Sequence, residues 1–260
     1  MIDLLSRQGL RDLQQFLTSD TLFAFDLDGT LAPIVADPAA VEIPEEIRRE
    51  MEQLTGLATT AIITGRSRGD ALSRLGFKPR FLVGNHGAEG LPGKEDKAGE
   101  LAALILDWKT QLDDLLVPEI SAATFFELKN SSLSLHYRHA DHPQMVHAAL
   151  LEAIKQLEPP PRRIGGKFVE NLIPHGMPDK GEALLQLMQH TGCSRAFFLG
   201  DDETDEDVFK HDLPQIFSAC VGRDRPTAAR YVVEHQVQTA QLIQELSRMQ
   251  RVLKAATNQG

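Results

Sequence analysis

The chain has 260 residues, 42% of them hydrophobic, a formal net charge of −10 and two cysteines. That length fits one large domain or two modest ones, with ample material for a packed core. The acidic balance argues against a nucleic-acid partner, whose phosphates call for a basic field, and no stretch approaches the ~20 apolar residues of a membrane span. Met1 to Arg7 lacks the basic start and apolar middle of a secretory signal. Cys193 and Cys220 have no metal spacing and form no disulfide framework, so buried free thiols in a reducing cytoplasm are expected.

Leu4, Leu5, Leu10, Leu13, Phe16 and Leu17 space as a short amphipathic helix. The apolar run Thr21 to Phe25 then reads as a strand buried on both faces. It ends in Asp26-Leu27-Asp28-Gly29-Thr30. Two residues apart on an extended chain, Asp26 and Asp28 point to the same side, and Gly29 permits a sharp turn. Two carboxylates there repel each other unless a proton or cation intervenes, and a hard, oxygen-seeking divalent metal such as Mg²⁺ suits that task. Pro44 is placed for the first turn of a helix, continued by Ile47, Met51 and Leu54. Ala58 to Ile63 is a second strand, ending in Thr64-Gly65-Arg66-Ser67, with a helix to Leu75. Phe81 to Val83 is a third, ending in Gly84-Asn85-His86-Gly87. Strands alternating with helices predict a mostly parallel sheet with helices on its faces.

The rhythm breaks at the polar run Pro92 to Lys97. A helix over 101–116, strands at 124–128 and 132–137 joined through Lys129-Asn130-Ser131, a helix over 143–157 and two short strands flanking Gly165-Gly166 predict an antiparallel α+β module. From Asp179 the first pattern returns: a helix from Lys180 to His190 ended at Gly192, a strand at 196–199 before Gly200-Asp201-Asp202-Glu203-Thr204-Asp205-Glu206, a strand at 216–221, and a closing helix marked by Leu242, Leu246, Met249 and Leu253. Four strand ends therefore carry unusual polar residues: Asp26/Asp28, Thr64/Arg66, Asn85/His86 and Asp201/Asp202/Asp205. In a parallel sheet these ends share one edge, where open α/β sheets bind ligands. Taken singly, Thr64 could cap a helix, Lys180 could be a solvated helix-start lysine, and the acidic run could be a helix N-terminus.

Taken together, Asp26-Leu27-Asp28-Gly29-Thr30, Thr64, Lys180 and Gly200-Asp201-Asp202 resemble, in order, the four motifs of the haloacid dehalogenase (HAD) superfamily of phosphohydrolases. Within it the chain is similar to the trehalose-6-phosphate phosphatase family. That similarity lies in Ile63-Thr64-Gly65-Arg66, Asn85-His86-Gly87-Ala88-Glu89, Leu128-Lys129 with Leu135-His136-Tyr137-Arg138, Asp179-Lys180-Gly181-Glu182-Ala183 and Gly200 to Glu206. The resemblance implies an α/β fold: a Rossmann-like HAD core, residues 1–94 and 176–260, carrying an inserted α+β cap of the C2 type, residues 95–175. It implies that Asp26 attacks phosphorus and that Asp28 serves as acid and then base. Thr64 and Lys180 would hold the phosphate, and backbone N–H groups at Gly29 and its neighbours would meet the oxyanion. Mg²⁺ would be held by Asp26, the Asp28 carbonyl and Asp201, with Asp202 and Asp205 completing or orienting the shell. Substrate contacts are expected from Arg66 and His86 in the core and from Lys129 and Arg138 in the cap. They are also expected from Glu170 or Asn171, because the glutamate the family places three residues before a proline is here Asn171, with Glu170 one position earlier.

The implied reaction is Mg²⁺-dependent hydrolysis of trehalose 6-phosphate to trehalose and inorganic phosphate, through an aspartyl phosphate. The enzyme would be a cytoplasmic monomer acting after a separate trehalose-phosphate synthase. Sucrose phosphate or a glycosyl-phosphoglycerate as substrate stays open, as does a sugar-phosphate sensor without catalysis. A glycosyltransferase reading of D-x-D leaves Thr64 and Lys180 without a role.

Overall fold

The structure, a computed structural model, describes residues 1–35, 37–93, 98–129 and 131–257. The polar break at 94–97 and the turn residue Asn130 lie outside the described residues. The chain forms two compact units, Met1–Pro92 with Pro178–Gly260, and Gly93–Met177. In chain order the first segment holds β1 (Ile2–Asp3), α1 (Arg7–Phe16), β2 (Leu22–Phe25), α2 (Glu45–Leu57), β3 (Thr59–Ile63), α3 (Arg68–Leu75) and β4 (Phe81–Val83). The second unit holds α4 (Ala98–Leu115), α5 (Pro118–Ala122), β5 (Phe125–Leu128), β6 (Leu133–His136), α6 (Pro143–Ile154), β7 (Pro161–Gly166) and β8 (Val169–Pro174). The chain then returns through α7 (Lys180–Thr191), β9 (Ala196–Gly200), α8 (Glu206–Phe209), β10 (Ile216–Val221), β11 (Tyr231–Val233) and α9 (Thr239–Thr257).

The first unit is built on a seven-stranded parallel sheet in the order β1-β11-β10-β9-β2-β3-β4. Strand β2 alternates between two cores. Phe23 and Phe25 pack with α1, α2 and α9 residues such as Leu13, Met51 and Leu246, while Leu22 and Ala24 pack with Ala183, Leu184 and Leu187 of α7. All four are fully buried, as the unbroken apolar run predicts. Each large side chain so buried contributes about 1.5–3 kcal/mol. This makes β2 a firmly anchored base for the residues that follow it. From β2 the chain crosses to β3 on one side, while β9 flanks it on the other. The strand order thus reverses beside β2, and a crevice for ligand opens at such a reversal.

Pro44 is the N-cap of α2, one position before the expected first turn. The two-residue β1, three-residue β11 and five-residue α5 are too short to show a period, and the sequence reading passed over them. In the second unit the sheet order is β5-β6-β8-β7, antiparallel throughout. One face, with Leu133, Leu135 and Leu172, packs against Trp108, Val146 and Leu150 of the helices. The fully buried Trp108 donates its Nε1–H to the Pro159 carbonyl at 2.7 Å. Gly165 and Gly166 lie inside β7 rather than in the turn, which falls at 167–168 with Phe168 at φ 62°.

Candidate active site

The four polar strand ends meet as the topology requires, because β9, β2, β3 and β4 are neighbours. At the centre, Lys180 begins α7 with its ammonium buried, 1% exposed. It donates to Asp26 Oδ1 at 2.9 Å and Asp205 Oδ1 at 2.8 Å, and lies 3.8 Å from Asp202. Asp179 caps this helix by accepting the Glu182 N–H, so the lysine is aimed inward from a fixed first turn. The helix-start position carries a buried cation and not a solvated one.

Asp205 is fully buried and fully engaged. Its Oδ1 takes Lys180, and its Oδ2 accepts the N–H groups of Asp201 and Asp202 at 2.8 and 2.9 Å. Asp202 caps the short turn Glu203–Asp205 by accepting from the N–H and hydroxyl of Thr204. Arg225 braces the same loop from outside, bonding the Asp201 and Asp202 carbonyls and Glu206. Asp201 is held through Oδ1 by the Thr30 hydroxyl at 3.1 Å. Gly29, at φ 81°, passes so close that a Cβ there would lie 2.0 Å from Asp201 Oδ2, so glycine is required both for the turn and for the approach. The Gly29 N–H is not the oxyanion donor expected of it. It donates to the Ala32 carbonyl at 2.7 Å, because the loop closes tightly on itself after the turn. The N–H groups of Leu27, Asp28 and Thr30 stand outside these loop bonds.

Asp28 points to Arg66, whose Nε and Nη2 grip its two carboxylate oxygens at 2.6 and 2.7 Å. Arg66 also donates to Asp70 at 2.6 Å. Thr64 is buried, and its hydroxyl accepts the Arg66 N–H at 3.2 Å, which leaves the hydroxyl hydrogen to be donated elsewhere. The cap of α3 is Ser67, not Thr64. His86 takes a left-handed backbone, φ 57°, with its N–H donating to the Thr64 carbonyl. Its ring occupies the space where a Gly65 Cβ would be, 2.4 Å from Cε1.

The other expected residues lie in the second unit. Lys129 sits 3.6 Å from Glu127, and His136 bonds the same carboxylate at 2.9 Å. Arg138 reaches the Lys167 carbonyl at 3.5 Å. Asn171 and Glu170 point to opposite faces of β8. Asn171 accepts the Ser134 hydroxyl at 2.7 Å. Glu170 is buried on the helix-covered face beside Leu135, where Oε1 bonds His147 at 2.7 Å and Oε2 lies 3.3 Å from Arg163.

Charge in the core site does not balance. Four carboxylates, Asp26, Asp201, Asp202 and Asp205, face one ammonium. Burial, and then the neighbouring carboxylates, pushes Asp201 up to about 7 and Asp26 well above the usual carboxylate range, despite Lys180. Burial likewise raises Asp205 to about 6. Burial also acts on Asp202, but Lys180 and the Thr204 donors outweigh it and hold this group low. One oxygen each from Asp26, Asp201 and Asp205 lie within 4.8 Å of one another. Asp205 is already spent on its bonds, whereas Asp26 Oδ2 and Asp201 Oδ2 accept no hydrogen bond among the described residues. An all-oxygen donor set short of positive charge fits a hard divalent cation.

The raised acids fix a pH dependence. Each binds more protons folded than unfolded between about pH 4 and its folded value, so stability of the metal-free protein falls as pH rises through that window. A cation must displace those protons, so its binding tightens as pH rises. Calorimetric titration with a divalent cation such as Mg²⁺ should show the dissociation constant falling as pH rises toward 7, with protons released on binding. A pH-independent constant would refute the assignment.

Sequence reasoning overlooked Thr30, Arg225, Asp70 and Arg74. Asp70 and Arg74 follow Arg66 at successive four-residue steps, a helical pairing pattern that was available as a signal. Arg225 is 24 residues beyond the carbonyl of Asp201 that it braces, with no local pattern to mark it.

Comparison with known proteins adds to this geometry. The family model described as trehalose-phosphatase matches residues 24–236. The trehalose-phosphate phosphatase of Mycobacterium tuberculosis is 28% identical over 241 residues, covering 87% of this chain and 61% of its own length. The chain thus spans about three fifths of the curated relatives it matches. The solved structure of Aspergillus fumigatus trehalose-6-phosphate phosphatase superposes with a TM-score of 0.65 at 26% identity, over 95% of this chain and 99% of that one. A haloacid dehalogenase-like hydrolase from Bacteroides thetaiotaomicron, 16% identical with a TM-score of 0.58, covers 87% of this chain and 99% of that one and shares the Rossmann-like core and cap fold. Among the described residues no helix is long and apolar enough to cross a membrane.

Proposed function

The chain belongs to the trehalose-phosphatase family, and from that premise we propose that it is a Mg²⁺-dependent phosphomonoesterase that hydrolyses trehalose 6-phosphate to trehalose and inorganic phosphate. The observation that carries the reading is the buried Asp26–Lys180–Asp205 array beside Asp201 at the end of β2. Asp26 and Asp201 carboxylates, with the Asp28 carbonyl, would hold Mg²⁺, and Asp205 and Asp202 would orient the loop. When bound, the cation neutralises charge between the carboxylate nucleophile and the phosphate and stabilises charge in the transition state.

The chain's own groups divide the chemistry. Asp26 attacks phosphorus and forms an aspartyl phosphate while the sugar oxygen leaves, splitting one difficult hydrolysis into two easier steps. Asp28, on the same side of the strand end, gives the departing oxygen a proton and later takes one from the attacking water. Lys180 keeps Asp26 oriented and lends positive charge to the phosphoryl group, and the Thr64 hydroxyl donates to a phosphate oxygen. Arg66 acts through Asp28, and His86 supports the Thr64 turn. In the second unit, Lys129, Arg138 and Asn171 are assigned to the sugar. Of the Glu170/Asn171 pair, Asn171 is preferred because Glu170 is buried on the helix-covered face of β8, between His147 and Arg163. The setting we propose is a cytoplasmic monomer, with both cysteines free, supplied by a separate trehalose-phosphate synthase.

Phosphate release from trehalose 6-phosphate, sucrose 6-phosphate and a glycosyl-phosphoglycerate, each with Mg²⁺ and with EDTA, tests the reading. Trehalose 6-phosphate should be turned over fastest, and EDTA should abolish release. Equal or faster turnover of another sugar phosphate would reassign the substrate, and release from none would remove the phosphatase reading.

A further inference from the structure

We infer that Asp70, reinforced by Arg74, is a positioning residue for proton transfer at Asp28, acting through the guanidinium of Arg66. The inference rests on the phosphatase reading above and concerns how its acid–base carboxylate is aimed.

Arg66 lies in the turn between β3 and α3 and faces two carboxylates at once. Its Nε and Nη2 hold both oxygens of Asp28, and its Nη1 holds Asp70 Oδ2 at 2.6 Å. Asp70 does not end the chain of charges. It accepts from Arg74 Nη2 at 2.8 Å and from Arg74 Nε at 3.1 and 3.2 Å. Arg74 in turn donates Nη1 to the carbonyls of Ala39 and Val41 at 2.9 and 3.0 Å, in the loop that follows the Asp28 turn. Negative and positive groups alternate from Asp28 to the loop backbone. The two arginine side chains are only 13% and 15% exposed, so solvent screens them little.

A guanidinium clamped on both oxygens of a carboxylate fixes its plane and the direction it faces. A carboxylate that passes a proton to a leaving oxygen must present one oxygen to it at hydrogen-bond distance, so its aim decides the transfer. Asp70 shares the same guanidinium and holds it from the far side, so it sets the angle of the clamp. Without Asp70 the Nη1 edge of Arg66 loses this anchor, and the clamp that aims Asp28 loosens. Protonation of the leaving group slows. A substrate whose leaving group departs as a stable anion needs no proton and does not notice.

A structural role alone predicts something else. Asp70 lies in the first turn of α3, whose N-cap is Ser67, and an acid there favours the helix. Losing that contribution would lower the melting temperature and reduce activity on every substrate alike.

The test is Asp70→Asn, assayed with trehalose 6-phosphate and with p-nitrophenyl phosphate in saturating Mg²⁺. We expect kcat on the sugar phosphate to fall about tenfold, with kcat on the aryl phosphate changed by less than about twofold. Arg74→Gln should give a weaker shift in the same direction, and it serves if Asp70→Asn does not fold. A double-mutant cycle on trehalose 6-phosphate is the independent check. Asp70→Asn should add no further loss once Arg66→Lys is present, because both act on one contact. Parallel loss on both substrates, unchanged sugar-phosphate turnover, or losses that multiply in the cycle would overturn the inference and leave the phosphatase reading standing. Should the wild type turn over only the sugar phosphate, the cycle decides by itself. Release from neither substrate by the wild type would defeat the phosphatase reading and this inference with it.

Discussion

Asp26→Asn should abolish phosphate release, by at least about 10⁴-fold in kcat, while leaving the fold intact. The amide keeps the shape of the carboxylate but cannot attack phosphorus as an anion. Nothing nearby can take over. Asp205 is spent on Lys180 and two backbone N–H groups, and Asp28 is gripped on both oxygens by Arg66. Burial and the surrounding acids disfavour a charge at Asp26, so the neutral side chain should cost the metal-free protein little stability, or raise it. Loss of activity with unchanged or higher stability is the pattern of a group kept for function at the expense of the fold. Phosphate-release kinetics and chemical denaturation on the same sample check both halves. Retained turnover would place the nucleophile elsewhere.

Lys180→Met should be damaging in both respects. The ammonium is the common partner of Asp26 and Asp205, and removing it strands two buried carboxylates beside Asp201. Breaking a buried pair in this way costs about 3–5 kcal/mol. The deficit should be largest near neutral pH and shrink as pH falls, because the orphaned acids take up protons and lose their mutual repulsion. Denaturation of wild type and variant across pH 5–8 would measure it (about the range in which these acids titrate). Equal stability at neutral pH would mean that the lysine is not the counter-ion the geometry makes it. Turnover should fall with it, since the phosphoryl group loses a positive neighbour and Asp26 loses its orientation.

Much of this site can be read directly from residue order, for a simple reason. A strand buried on both faces has an unmistakable apolar run, and the polar residue that ends it must lie at a sheet edge. Asp26, Thr64, Asn85 and Asp201 were located that way, and parallel pairing of β9, β2, β3 and β4 then brings them together. What spacing does not carry is which partner a side chain chooses. Arg66 was expected to face substrate, and spacing alone did not show that it also grips Asp28 and Asp70. The Gly29 N–H was expected to meet an oxyanion and is used up closing its own loop. Glu170 and Asn171 differ by one position, and only the pairing of Leu135 with Glu170 and of Ser134 with Asn171 decides which face each occupies. The glycine pair at 165–166 resembled a turn, yet it extends β7, and the left-handed residue is Phe168.

The tryptophan of this chain has a use that the chemistry does not touch. Trp108 is the sole indole in 260 residues, and it is sealed in the helix-and-sheet interior of the inserted unit, with its N–H tied to Pro159. Its emission is therefore a private optical reporter on that unit. A denaturation curve followed by indole fluorescence reports on that unit alone, whereas one followed by loss of phosphatase turnover also requires the unit that carries Asp26 and Lys180. Their coincidence or separation tells whether the two halves melt as one cooperative body or in sequence.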